Sequence, residues 1–274
     1  MKKNWFVYPY IVWMIIFIVA PLLLLLFYSF TTTTDEGIKF TLEHLRRLWD
    51  PIYFSVFLRS INLALISTAI CLLIGYPVAV ILASKEYSSN KIMTLLFVIP
   101  MWMNFLLRTY AWMTLLEKNS PINVILNLLH LPPLQILYTD KAVVLGMVYN
   151  FLPFMVLPIY SVLMKMDKSI IEAAEDLGGN YFVVLRKIII PLSVPGIMSG
   201  ITMVFMPAVT TFIISRLLGG GHYMLIGNLI EQQFLVAGDW NFGSAISFAL
   251  MIIILISMSI MHKYDKEYEG GAIW

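Results

Sequence analysis

Charge is what this sequence has least of. Asp, Glu, Lys and Arg make up 12% of its 274 residues, about half the share of a soluble domain. Apolar residues take 60%, and the mean hydropathy of +0.84 excludes a water-soluble core and predicts an integral membrane protein. The single cysteine, Cys71, sits inside an apolar run, so there is no disulfide framework and the redox compartment is not encoded. A net charge of only +2 leaves no footprint for nucleic acid. No G-x-x-x-x-G-K-[ST] occurs, so the chain cradles no nucleotide phosphates itself. There is also no H-E-x-x-H and no metal-ligand cluster. His44, His130, His222 and His262 all fall outside the long apolar runs, which denies an intramembrane serine protease its base. No Asp or Glu lies inside those runs either, and no inverted repeat is visible, which counts against a proton-coupled secondary transporter.

What is present is a series of apolar runs. A spanning helix needs about 20 mostly apolar residues. Residues 7–30, 61–84, 92–116 (interrupted by Arg108), 142–164, 192–215 and 242–261 meet that length. The predicted fold class is all-α, an integral membrane protein of six transmembrane helices. Met1-Lys2-Lys3 imitates a secretory signal, but the charge-free stretch from Asn4 to Thr34 is too long and contains Pro21, so it reads as an uncleaved first span. Lys2, Lys3, Lys85, Lys91, Lys165, Lys168, Arg186, Lys187, Lys263 and Lys266 fall on one side, in short segments. Lys39, Arg46, Arg47, Arg59, Lys118, Lys141 and Arg216 fall on the other. The denser set marks the cytoplasm, and both termini are expected there. Among the outer loops, residues 41–49 carry Leu42, Leu45, Leu48 and Trp49 at helical spacing before Asp50-Pro51. Residues 217–230 are apolar but broken by Gly219-Gly220-Gly221, which predicts a re-entrant or interfacial segment.

One polar island interrupts the second half, on the cytoplasmic side between two spans. Ser169 and Glu172 have the spacing of a capping box. Ala173 and Ala174 let another surface approach the backbone, and Gly178 or Gly179 can end the helix in a left-handed conformation. Beyond them, Tyr181, Phe182, Val184 and Leu185 alternate with Arg186 and Lys187 as in an interfacial helix. Pro191 and Pro195 suit the first turn of the next span. On local chemistry alone this is a capped loop helix.

Glu172-Ala-Ala-x-x-x-Gly178, twelve residues before Pro191, resembles the EAA loop of ABC importer permeases. Phe40-Thr-Leu-Glu43, Asp50-Pro-Ile-Tyr53-Phe54, Ser60-Ile-Asn-Leu-Ala64, Gly75-Tyr76-Pro77, Val98-Ile-Pro100 and Leu107-Arg108-Thr-Tyr110 follow in order. So do Leu152-Pro153 through Pro158, Leu217-Leu-Gly-Gly and Leu225-Ile-Gly-Asn228. Together they resemble the spermidine/putrescine permeases of the PotB kind. The resemblance implies a MetI-like permease domain over residues 58–262, after a first helix and outer loop (1–57) and before a short, disordered tail (263–274). It also implies a second, PotC-like permease, two PotA-like ATPases and a PotD-like extracytoplasmic polyamine-binding protein. This chain would be a non-enzymatic subunit in the cell membrane that binds no cofactor, with ATP and Mg on the partner ATPase. Glu172, Ala173, Ala174, Asp176, Leu177, Gly178 and Pro191 would couple it to that motor, through a helix at about 169–177. One departure stands out: Ser215-Arg216 precedes Leu217 where those permeases usually carry Asp. A cation there suits an anionic solute such as a phosphonate, which remains the alternative cargo within the fold.

A polycation needs aromatic faces, carbonyl oxygens or carboxylates along its path. The nearest acids are Glu117, at the end of the third span, and Asp140, before the fourth. Pro153, Pro158 and Pro207 free the carbonyls of Tyr149, Phe154 and Met203. Asn104, Arg108 and Trp112 recur at four-residue steps, on one helix face. Arg108 lies about 24 Å along the span from Ile92, near enough to the outer edge to snorkel. Trp102, Tyr110 and Tyr160 complete the path candidates.

Overall fold

Without water to bond its amides, a chain crossing a bilayer must satisfy each backbone group within its own segment, and helices dominate here accordingly. The computed structural model describes residues 7–34, 37–84, 91–221 and 223–270. Lys2, Lys3, Lys85 and His222 lie outside the described residues.

Five helical runs are long and apolar enough to cross a membrane: Tyr8–Ser29, Pro51–Ala83, Asp140–Lys165, Tyr181–Thr210 and Trp240–Ser259. The first consists of α1 (Val7–Met14), a π-turn over Ile15–Val19, and α2 (Ala20–Ser29). Four consecutive threonines, β-branched and suited to a pleated strand, then form β1 (Thr31–Thr34), antiparallel to β2 (Gly37–Phe40) with Thr31 opposite Phe40. This hairpin is an addition to the all-α expectation. Next come α3 (Glu43–Arg47) and α4 (Pro51–Ala83). Asp50-Pro51 ends one helix and opens the other, so α4 begins ten residues before the apolar run at 61.

The third expected span is not among these five runs. Its residues fold as two helices, α5 (Lys91–Trp102) and α6 (Phe105–Leu116). Pro100 has no N–H for the Leu96 carbonyl, and Asn104 leaves helical geometry (φ −56°, ψ 128°) to cap the second piece. After α7 (Pro121–Leu128) come α8 (Asp140–Lys165) and α9 (Lys168–Asp176). The segment after α9 is not a separate interfacial helix. α10 (Tyr181–Val184), a π-turn over Leu185–Ile189 and α11 (Ile190–Thr210) run on as one. Ile190 donates its N–H to the Leu185 carbonyl, one residue farther back than in an α-turn. The chain widens by that residue just before Pro191, whose missing N–H would otherwise break the ladder. Where a re-entrant or interfacial segment was expected over 217–230, α12 (Ile213–Leu218) and α13 (Ile226–Gln232) form a hairpin around Gly220 and Gly221, both at positive φ, and α12 takes the last residues of the expected fifth span. The last helix, α14 (Trp240–Gly270), carries the tail as helix through Gly270, contrary to the disorder expected there.

Side-chain ties define one end of the bundle. Arg47 donates to Asp239 Oδ2 at 3.0 Å and to the Tyr53 hydroxyl at 3.1 Å. Its guanidinium sits 4.1 Å from the centre of the Phe242 ring. Arg59 reaches Asp140, and Ile226 donates its N–H to Ser60 Oγ at 2.9 Å. The starts of α4, α8 and α14 therefore share this end with the α12–α13 hairpin, and α9 lies at the other. The core is α4, α8 and α11, with Ala64, Cys71, Met147, Met155, Val204 and Ala208 buried between them. Gly196 and Gly200 face α8 closely. A Cβ at Gly196 would stand 3.0 Å from Ile159 Cα, and one at Gly200 3.0 Å from the Met155 carbonyl oxygen. Small residues four apart let membrane helices approach in this way. Tyr8–Ser29 packs against α14 and otherwise exposes its apolar side chains.

Candidate functional site: the α9 element and a cavity between α4, α6 and α8

At the α9 end the N-cap is Asp167 rather than Ser169. Asp167 Oδ1 accepts from the Ser169 N–H at 2.9 Å, which places Ser169 inside the first turn and rules out the expected capping box. That backbone bond, with a side-chain bond from the same serine, holds the exposed Asp167 carboxyl below its ordinary range. The C-terminus closes as expected on glycine. Gly178, at φ +83°, donates to the Glu175 carbonyl at 2.9 Å, and Gly179 donates to Ala174 at 3.0 Å. These are the two bonds of a Schellman motif. Asn180 Oδ1 accepts from the Val183 N–H at 2.9 Å and starts α10.

This short helix has two faces. Ile171 turns inward with Ile81, Leu163, Met166, Tyr181 and Ile189 around a cavity of about 360 Å³ at the ends of the spans. Glu172, Ala173, Asp176, Leu177, Gly178 and Pro191 are exposed and Ala174 is half-buried. Leu177 is 90% exposed, so a large apolar side chain projects from the tip of the element with nothing among the described residues to cover it.

A second cavity, of about 760 Å³, opens between α4, α6 and α8. Its walls are apolar, including Leu63, Ile66, Ile70, Val144, Val148 and Leu152, with Asn62, Asp140 and Lys141 among its lining. Trp112 and Tyr149 meet there edge to face, ring centres 5.3 Å apart. Of the predicted path residues, the structure brings these two together. Asn104 is used as a cap, its Oδ1 accepting from the Leu106 N–H at 2.8 Å. Trp102, Tyr110 and Phe154 lie exposed elsewhere, and Tyr160 packs against the core. Arg108 does not snorkel into solvent. It is 8% exposed, on a helix packed against α8 and α12, and its Nε has no hydrogen-bond partner.

Asp140 is the residue whose position the sequence undersold. Standing at the first turn of α8, it lines the cavity. Its Oδ2 is 3.5 Å from Arg59, while Oδ1 is buried without a hydrogen-bond partner. The signal was legible as an acid just before an apolar run. Arg216, by contrast, loses its oddity: it is ion-paired with Glu231 across the α12–α13 hairpin, so the cation is answered locally. Asn228 braces the same hairpin, donating to the Phe212 carbonyl at 2.9 Å and accepting from the Leu225 N–H at 3.2 Å.

Known proteins share this architecture. Residues 75–268 match the family described as binding-protein-dependent transport system inner membrane component. The chain is 41% identical to the spermidine/putrescine transport system permease protein PotB of Escherichia coli (strain K12), covering 93% of this chain and 94% of that one. The Haemophilus influenzae protein of the same name is 37% identical over 93% of this chain and 91% of its own. Among solved structures, a bacterial ABC transporter that imports the acidic polysaccharide alginate superposes with a TM-score of 0.74 at 18% identity, over 96% of both chains. At that identity the likeness speaks for the fold alone. The family match over most of the chain and the identity along 93% of it agree: the chain belongs to the inner-membrane permease components of binding-protein-dependent ABC importers, transport subunits whose ATPase is a separate partner.

Proposed function

We propose that this permease forms, with a second PotC-like permease, the membrane path by which spermidine or putrescine enters the cell. A PotD-like receptor delivers the polyamine from outside. Two PotA-like ATPases, holding ATP and Mg, close against α9 from the cytoplasm, where both termini also lie. The observation that carries the cargo assignment is the 41% identity to PotB along 93% of the chain. The exposed Glu172–Gly178 surface supports the docking assignment: its small side chains at Ala173 and Ala174 admit a groove, and Leu177 fills one. The Trp112–Tyr149 pair supports the path, since ring faces attract ammonium groups. An anionic cargo drew its support from Arg216, and the ion pair with Glu231 withdraws it.

The assignment is tested with the cognate receptor and the reconstituted importer. Spermidine or putrescine should bind the receptor and accumulate in vesicles only when ATP and all subunits are present. A receptor that ignores both polyamines ends the cargo assignment. Replacing Glu172 and Gly178 together by Lys and Val should abolish uptake while leaving the complex assembled, and full transport by that variant would remove α9 as the docking element.

A further inference from the structure

We infer that Asp140 is the carboxylate that receives an ammonium group of the cargo at the cavity between α4, α6 and α8. This rests on the polyamine reading and supplies the anion that the apolar spans lack. Three observations converge. Asp140 Oδ1 is closed off with no hydrogen-bond donor, so the carboxylate is incompletely satisfied and its charge is left to be answered at Oδ2. Oδ2 is held only loosely, 3.5 Å from an Arg59 nitrogen, in a pair whose side chains are 40% and 41% exposed. The same cavity presents the Trp112–Tyr149 rings and an apolar wall running past Ile66 and Val148. A polyamine alternates ammonium groups with methylene chains, and this lining offers a counterpart to each.

Arg59 is the resident competitor for the carboxylate. It has a second resting place, since its guanidinium already lies 4.6 Å from the centre of the Tyr223 ring, and the ammonium reaches Asp140 as Arg59 gives way toward it. Lys141 lines the same cavity with the cargo's own sign of charge. Both cations keep the hold weak, which a transit site requires if the solute is to leave again.

The experiment measures radiolabelled spermidine binding to the purified importer by equilibrium dialysis, without receptor, and uptake by the same complexes in vesicles. D140N should raise the half-saturating concentration about tenfold or more, the loss of one charge-assisted hydrogen bond, and D140E should restore much of it. R59Q, which frees the carboxylate, should leave binding unchanged or tighten it. Equal weakening by D140N and R59Q would reduce Asp140 to half of an ion pair and overturn the inference, as would D140N binding like the unmodified complex. If D140N fails to assemble, R59Q decides alone: tighter or equal binding supports the site and weaker binding overturns it. An unmodified importer that neither binds nor transports polyamine overturns the cargo reading itself, a result distinct from the failure of Asp140.

Discussion

Asp167 caps α9 through a single backbone N–H, at 2.9 Å from Ser169, and that bond is sensitive to protonation. Its carboxyl is held below the ordinary range, so the ionised form is favoured in the folded element. The cap is therefore fully present above the unfolded aspartate value, about 3.9, and is lost as pH falls through the lower folded value. At neutral pH the test is D167A. With the N-cap lost, amides in the first turn of α9 should exchange with solvent several-fold faster. Gly178 is the complementary stop. At φ +83° a side chain costs roughly 1–2 kcal/mol, and G178V should fray the helix end and lower uptake more than G178A. The glycine stop was readable from sequence because few other residues take that conformation. The start was not, because Asp167 and Ser169 are both good caps two residues apart. The backbone's exit from α8 at Met166 (φ −66°, ψ 134°) decides between them.

Among the helices, the α8–α11 contact is a close joint that a single substitution can open. Gly196 and Gly200 each bring a backbone atom of α8 within 3.0 Å of where a Cβ would stand. G196V should force the helices apart at a cost of about 1–3 kcal/mol, lowering the melting temperature of the purified complex, while a serine there should be milder. The α12–α13 hairpin offers a charge test. R216E or E231R alone sets like charges across the turn and should reduce uptake, and the double exchange R216E/E231R should recover most of it if the ion pair is what holds the hairpin. Recovery that fails would mean that the polarity of the pair matters in itself. The places of five spans followed from hydropathy, because apolar runs of this length have few alternatives in a bilayer, but their lengths did not: α4 and the run from Tyr181 both begin well before the apolar stretch. The break at Asn104 did not follow. Pro100 was visible, but the loss of one backbone bond and an asparagine cap weigh little against 25 residues of mostly apolar sequence until tertiary contacts are known.

At the scale of the whole molecule, the proposed assembly asks one surface to serve lipid, a second permease and a motor. The first crossing exposes Tyr10, Trp13, Phe17 and Leu23 along its length, as a lipid-facing helix does. Leu177 projects into the aqueous side at the opposite extreme of polarity from its surroundings. Burying a leucine contributes roughly 1.5–3 kcal/mol, so L177D should weaken retention of the ATPase about tenfold or more. Pull-down of the complex at matched expression measures it. The polar island of α9 and the aromatics of the third and fourth apolar runs were both visible in the sequence. Their partners within the fold were not: that Trp112 meets Tyr149, or that Asp140 looks into the same space, depends on how α6 lies on α8.

The unbroken run from Tyr181 to Thr210 gives this molecule something like a crankshaft. One extremity abuts α9, the proposed docking element; the other feeds the hairpin braced by Arg216 and Glu231. With no loop along its length, a tilt applied at α9 by the proposed motor would be carried to the hairpin at the far end, so both ends of the path would answer to one movement.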